Sequence, residues 1–126
     1  MKVLIVDDCR TTRKLLGFYI KSKGFDVVTA ENGLDAMSKL AQGGVNMIIT
    51  DLNMPFMDGL ELIRTLRADP SCAHIPVLMV TTERDAEEKK KAFEAGANGF
   101  LMKPVSSEDV VKNVRIIMQK LFKEDA

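Results

Sequence analysis

Three aspartates directly follow apolar runs of the sequence, at places where buried strands would end. Asp7 and Asp8 come after the run 2–6, and Asp51 comes after the run 46–50. If these runs are neighbouring strands of a parallel sheet, their carboxyl ends meet at one edge and the carboxylates converge. Grouped carboxylates repel one another, and a hard divalent cation with oxygen ligands relieves that repulsion. The sequence therefore predicts a Mg²⁺ site at this edge.

Two further strand ends carry side chains that suit the handling of a phosphoryl group. Thr81 and Thr82 follow the run 76–80, and Lys103 follows the run 99–102. Two positive charges from Mg²⁺ and one from Lys103 would balance the three carboxylates. An arriving phosphoryl group would meet cations already in place, and a carboxylate is an established nucleophile in forming an aspartyl phosphate. This chemistry needs positioning and charge neutralisation, which strand ends can supply.

Strand and helix patterns alternate along the chain and would position these residues. Helical periodicity follows each apolar run, and Gly24, Gly96 and the pair at 43–44 are typical helix ends. Asn32 is a predicted helix cap, and Ser106 opens a predicted capping box. Strands are predicted at 2–6, 25–29, 46–50, 76–80 and 99–102, and helices at 11–23, 33–42, 59–68, 84–95 and after Ser106. The fold class is therefore α/β, a doubly wound five-stranded parallel sheet of flavodoxin-like order 2-1-3-4-5.

Each predicted helix carries an apolar stripe that should face the sheet. The residues expected to point inward are Leu15, Leu16, Tyr19 and Ile20 in the first helix, Leu34, Met37, Leu40 and Ala41 in the second, Leu60, Ile63 and Leu66 in the third, and Val110, Val114, Ile117, Met118 and Leu121 in the last.

Length and composition predict one domain over residues 1–126, with a frayed tail after residue 122. The formal net charge is zero, which argues against a dedicated binder of nucleic acid or membrane surfaces. The apolar run 3–6 is too short for a signal peptide or a membrane span. Cys9 and Cys72 lack metal-ligand spacing beside the single histidine, His74, so free thiols in a cytoplasmic protein are expected.

Four segments resemble the response-regulator receiver family, in order and over the whole chain. They are VLIVDD at 3–8, IITDLNMPFMDG at 48–59, LMVTTE at 78–83 and AGANGFLMKP at 95–104. The stand-alone, CheY-like chemotaxis type is the most similar subtype. The resemblance implies a monomeric two-component switch that takes a phosphoryl group from a histidine kinase or phosphotransfer protein and then binds a downstream protein. Such a domain promotes its own phosphorylation and dephosphorylation but is not a conventional turnover enzyme.

The resemblance also implies roles for the residues around the predicted metal. Asp51 would be the phosphoacceptor, Asp8 would bind Mg²⁺ directly, and Asp7 would bind it mainly through water. The backbone carbonyl of Asn53 would be the third protein ligand. Asn53 and Glu83 stand at the two variable positions that tune how fast the phosphate is lost.

Further roles concern the response to phosphate. The resemblance implies that the Thr81 hydroxyl turns toward the phosphoryl group, that the Thr82 amide contacts it, and that Lys103 pairs with it. The Lys103–Pro104 bond is often cis in this family. Phe100 stands where the chemotaxis type carries Tyr. An aromatic switch coupled to Thr81 could still operate because the ring is kept, but the hydroxyl contact to a partner protein is lost. The implied partner surface is the fourth helix, fifth strand and fifth helix.

Other interpretations stay open at this point. A flavodoxin-type electron carrier would need a hydroxyl- and glycine-rich loop after the first strand, where this chain has DDCR at 7–10. A haloacid-dehalogenase-type phosphohydrolase would need an acid at Asn53. A receiver that stores phosphate without an output partner, or one cut from a longer protein, also fits. Arg10, Arg13 and Lys14 either steer an acidic donor or form a solvated helix face.

Overall fold

Five strands and five helices alternate along the residues 1–82 and 86–122 that the computed structural model describes. The strands are β1 Lys2–Val6, β2 Asp26–Ala30, β3 Met47–Thr50, β4 Val77–Thr81 and β5 Gly99–Met102. The helices are α1 Arg10–Lys21, α2 Gly33–Ala41, α3 Gly59–Ala68, α4 Ala86–Ala95 and α5 Ser107–Phe122. The predicted bounds agree within two residues wherever the structure tests them. The predicted start of the fourth helix at 84, residue Glu83 and the tail 123–126 lie outside the described residues.

The strands form one parallel sheet in the order β2-β1-β3-β4-β5, which confirms the predicted topology. In the register of β1 and β3, Val6 lies opposite Thr50. The backbone N–H of Asp51 then donates to the Val6 carbonyl at 2.9 Å, so the ladder continues one residue past β3. This register brings the first residues after β1 and β3 side by side.

Apolar layers cover both faces of the sheet, as expected for parallel strands. Leu4 and Val6 of β1 face the layer made with α2, α3 and α4. Val3 and Ile5 face the opposite layer, made with α1 and α5. Because both faces are filled by helices, polar side chains are left to the two ends of the strands, and the predicted site residues lie at the carboxyl-terminal ends. Within the described residues, no helix has the length and apolar character to span a membrane.

The predicted helix faces were partly wrong. Leu15, Leu34 and Leu121 are 47%, 55% and 44% exposed, and Ala41 is also exposed. In α1 the sheet-facing stripe is centred on Leu16 and Ile20, and in α2 on Ala36 and Leu40. Leu15 and Ala41 directly adjoin these stripes in sequence, and one step along a helix rotates a side chain away from the sheet. The other predicted inward residues are buried or half-buried.

Caps fix where three of the helices begin. The Asn32 side chain accepts from the Asp35 amide at 2.8 Å, and the Ser106 hydroxyl accepts from the Asp109 amide at 3.0 Å. Helix α3 is capped by Asp58, which accepts from the Glu61 amide. Capping α3 is therefore not the task of Asp51, although aspartate is a common cap residue.

Candidate functional site

The carboxylates of Asp7, Asp8 and Asp51 converge at the carboxyl-terminal edge of β1 and β3. One oxygen of each lies within 4.8 Å of the others. Asp7 and Asp51 are 1% and 8% exposed, whereas Asp8 is open to solvent. Oxygen ligands stand about 2.0–2.1 Å from Mg²⁺, so small side-chain movements would let these carboxylates share one such ion.

Lys103 joins the two buried carboxylates. Its Nζ lies 2.8 Å from Asp7 Oδ2 and 3.1 Å from Asp51 Oδ2. Burial on its own would lower the pKa of Lys103, but the hydrogen bond to Asp7 and the charge of Asp51 outweigh it and raise that pKa. The side chain is therefore an ammonium at neutral pH, fixed between β1 and β3.

Backbone groups hold the remaining oxygens of the buried pair. Asp7 Oδ1 accepts from the Cys9 amide at 2.8 Å, and Asp51 Oδ1 accepts from the Leu52 amide at 2.7 Å. The Arg13 guanidinium donates to the Asp7 carbonyl at 2.6 Å. Each buried carboxylate thus has one oxygen fixed by the main chain and one shared with Lys103. The cluster thus holds three carboxylates and one ammonium, which bonds to two of them, and this excess of negative charge favours a further cation.

The chain leaving Asp51 folds closely over the site. The Gly59 amide donates to the Leu52 carbonyl at 2.8 Å, and a Cβ at Gly59 would lie 2.4 Å from the Asp51 carbonyl oxygen. Only glycine allows α3 to begin so near the strand end. In the same loop Phe56 has φ of 70°, and the Met57 amide donates to the Pro55 carbonyl across it.

The neighbouring strand ends carry the other predicted residues. Thr81 is fully buried at the end of β4, and its carbonyl accepts from the Lys103 amide at 2.7 Å. The peptide bond between Lys103 and Pro104 is cis. Exposed Thr82 lines a groove with Leu15 and Lys103, so Leu15 contributes to this groove and not to the core.

Two predicted residues lie further from the carboxylates. Asn53 is exposed in the loop after Asp51. Phe100 is half-buried, lies opposite Met79 in the β4–β5 register and packs against the α2–α4 layer. Glu83 is outside the described residues.

Some contacts of the site were not predicted. The sequence marked Arg13 only as a flanking cation, and its bond to the Asp7 carbonyl depends on a side-chain direction that no pattern specifies. The sequence pattern indicates no role for Cys9 at the site, yet its amide donates to Asp7 Oδ1 and orients that carboxylate. The Cys9 thiol is exposed, and hydrogen bonding with Thr12 lowers its pKa. Gly59 is a sequence signal for the close approach of α3 to Asp51, because a glycine at the start of a helix permits a tight loop before it.

Comparisons with known proteins agree with this geometry. Residues 3–115 match the family model described as the response regulator receiver domain. The chain is 37% identical over 122 residues to chemotaxis protein CheY-3 of Vibrio cholerae, a match covering 96% of this chain and 94% of that protein. It is 36% identical to chemotaxis protein CheY of Pseudomonas aeruginosa, over 96% of this chain and 98% of that one.

A solved structure gives the same result. That of V. cholerae chemotaxis protein CheY4 matches with a TM-score of 0.87 and 34% identity, over 92% of this chain and 97% of the other. The resemblance in the four sequence segments is thereby confirmed, and the electron-carrier and phosphohydrolase interpretations lose their support. The chain belongs to the response-regulator receiver domain family.

Proposed function

We propose that this two-component receiver is switched by a phosphoryl group that a histidine kinase or phosphotransfer protein donates to Asp51. The observation that carries the proposal is the convergence of Asp7, Asp8 and Asp51, two of which also bond to the ammonium of Lys103. A reactive carboxylate, a cation site and a fixed positive charge are the parts that phosphoryl transfer requires.

In the proposed reaction a carboxylate oxygen of Asp51 attacks the phosphorus of a phosphohistidine. The new oxygen–phosphorus bond forms as the phosphorus–nitrogen bond breaks, and the imidazole nitrogen keeps the electron pair. The Leu52 amide orients the carboxylate through Oδ1, and Lys103 stands 3.1 Å from Oδ2. From there its N–H groups can pair with the oxygens of the incoming phosphoryl group.

Asp7, Asp8, Asp51 and the backbone carbonyl of Asn53 are the proposed Mg²⁺ ligands. The described part of the cluster offers carboxylates without histidine or cysteine, which fits a hard cation. When bound, Mg²⁺ would neutralise charge on the phosphoryl oxygens. Asp7 and Asp51 would then serve both the metal and Lys103.

The proposed output is a change in binding affinity for a downstream protein. The Thr81 hydroxyl would turn to the phosphoryl group, the Thr82 amide would contact it, and Phe100 would repack. Phe100 is half-buried against the α2–α4 layer, so a movement of its ring would change both that packing and the exposed surface. The surface of α4, β5 and α5 would carry the change to the partner.

The proposed role also includes an oligomeric state, a cellular location and a lifetime of the phosphate. The chain would act as one monomeric domain over 1–126 in the cytoplasm, binding neither nucleic acid nor membrane and turning over no metabolite. Asn53 and Glu83 would set how fast the phosphate is lost. Storage of phosphate without an output partner is the competing role within the family.

Phosphorylation by a small phosphodonor tests the proposal. Incubated with Mg²⁺ and acetyl phosphate, the protein should gain the mass of one phosphoryl group, and hydroxylamine should remove it. Asp51→Asn should abolish the gain, and chelation of Mg²⁺ should prevent it. The matched control is Asp26→Asn, which changes an exposed aspartate of β2 and should label normally. Labelling that survives Asp51→Asn would contradict the proposal, and a partner captured only by the labelled form would exclude the storage role.

A further inference from the structure

The outer side of α1 and the edge strand β2 enclose a groove of about 500 Å³ that the proposed phosphoryl chemistry does not use. Its walls are the side chains of Arg10, Lys14 and Lys21 together with the ring of Phe18. The groove lies on the opposite side of the sheet order from α4 and β5, so it is separate from the proposed output surface.

The groove is strongly basic in a chain without net charge. Helix α1 carries four cationic residues and no acidic one, while the formal net charge of the whole chain is zero. Arg10, Lys14 and Lys21 recur at helical spacing on one face. Among the described residues, no carboxylate lies within salt-bridge distance of these three. Their charge is available to an external anionic group.

Two residues within this row of cations, Gly17 and Phe18, distinguish it from an ordinary solvated helix face. Phe18 is 69% exposed between the cations. Gly17 lies buried at the groove, where a Cβ would meet only Val27 Cγ1 at an ordinary 3.7 Å. Glycine disfavours a helix interior, and packing does not require it here. Its missing side chain leaves the groove open beside Phe18.

We propose that this groove binds an acidic segment of a partner protein. Carboxylates of that segment pair with Arg10, Lys14 and Lys21, and an apolar side chain covers Phe18. The row runs about 16 Å along the helix axis at about 1.5 Å per residue, which suits several residues of peptide better than one phosphate group. An exposed aromatic ring among cations also favours a ligand that is both acidic and apolar.

Peptide binding to the full chain tests this proposal. The probe is a fluorescein-labelled synthetic peptide rich in glutamate with two leucines, and a second peptide carries serine in place of leucine. Amide chemical shifts should change in α1 and β2. Arg10→Glu with Lys14→Glu should weaken binding about tenfold or more, because two attractions become repulsions. Phe18→Ala should weaken the leucine peptide and leave the serine peptide unaffected.

Matched controls separate the groove from general electrostatics. Lys89→Glu with Lys120→Glu makes the same charge change at exposed sites of α4 and α5 and should alter binding less than about twofold. Asp51→Asn should bind the probe normally, so failure of the phosphoryl proposal would not affect this result. The proposal is overturned if both charge-reversal pairs act equally, if the shifts fall outside α1 and β2, or if only inorganic polyphosphate or phosphatidylglycerol vesicles bind.

Discussion

Lys103 and the proposed metal would draw on the same two buried carboxylates, Asp7 and Asp51. The ammonium pairs with Asp7 and Asp51 in the structure, and its raised pKa keeps it charged at neutral pH. A monovalent and a divalent cation about 4 Å apart repel by about 2–8 kcal/mol at effective dielectric constants between those of water and a protein surface. Lys103 therefore stabilises the buried acids and would at the same time oppose binding of the proposed metal.

Replacing this lysine should separate the two effects. In Lys103→Met the apolar stem remains and the charge is lost, so we expect Mg²⁺ affinity to rise at least about tenfold while acceptance from acetyl phosphate slows. Calorimetric titration with Mg²⁺ measures the first effect, and intact-mass labelling measures the second. Lys103→Arg keeps the charge and should hold Mg²⁺ affinity within about twofold. Equal affinity in wild type and Lys103→Met would show that the lysine does not compete.

At the scale of single residues, the sequence predicted which groups meet but not how they bond. Asp7, Asp8 and Asp51 were predicted to converge because each follows a strand whose carboxyl end reaches the same edge. That Lys103 bridges two carboxylates, and that Arg13 bonds to a backbone carbonyl, depends on side-chain rotamers, which the sequence pattern leaves free.

At the scale of elements, the start of α3 controls the loop that carries Asp51. A Cβ at Gly59 would lie 2.4 Å from the Asp51 carbonyl oxygen and 3.0 Å from Leu52 Cα, and both are backbone atoms. We expect Gly59→Ala to lower the free energy of unfolding by about 1–3 kcal/mol and to impair labelling of the protein that stays folded. Urea denaturation and mass-detected labelling measure these effects.

Gly17→Ala is the matched control for Gly59→Ala. Its Cβ would meet only Val27 at 3.7 Å, so the gain in helix propensity should raise stability by about 0.5–1 kcal/mol and leave labelling unchanged. If both substitutions stabilised the protein, the close approach of α3 to Asp51 would not be a constraint.

Arg67 connects three segments at the other end of the sheet. Its guanidinium donates to the carbonyls of Gly96 and Ile75 at 2.8 and 2.6 Å and to Asn98 Oδ1 at 3.0 Å. Burial lowers the pKa of this arginine. Arg67→Lys keeps a cation but loses the planar fork, so we expect a loss of about 1–3 kcal/mol in urea denaturation. Exposed Arg64→Lys, on the same helix, should stay within about 0.5 kcal/mol of wild type, and equal losses would refute the bridging role.

Local sequence signals predicted the bounds of the helices but not the hydrogen bonds of Arg67. Asn32 and Ser106 are caps that can be recognised from residue type, and Gly24 and Gly96 end helices with positive φ. The acceptors of Arg67 are backbone groups from loops distant in sequence, which no local pattern brings together.

At the scale of the whole molecule, the sheet order could be predicted because apolar strands, helices of matching length and right-handed crossovers leave few topologies. For the basic side of α1, the sequence predicts which residues are cationic but not the surface that they form. Its role as one wall of a groove depends on the packing of α1 against β2, which fixes the floor at Gly17 and Val27.

Folding and metal binding should be linked across the whole chain, because only the folded sheet brings β1 and β3 together. A ligand that binds only the native state stabilises it by about 2.7 kcal/mol at a hundredfold excess over its dissociation constant. At a Mg²⁺ concentration about a hundredfold above its dissociation constant, we therefore expect the free energy of unfolding to rise by about 2.7 kcal/mol, and a chelator should reverse the gain. Asp8→Asn should remove most of the gain, yet leave the metal-free protein equally or slightly more stable because one carboxylate of the cluster is lost.

Screening by salt is the alternative cause of such a gain, since any electrolyte weakens repulsion among exposed charges. Sodium chloride at matched ionic strength separates the two causes in parallel urea denaturation of wild type and Asp8→Asn. Specific binding requires that Mg²⁺ exceed sodium chloride in wild type and lose that advantage in the variant. If the two salts stabilise wild type equally, the acidic cluster does not hold a metal, and the charge around Asp51 must be balanced by Lys103 alone.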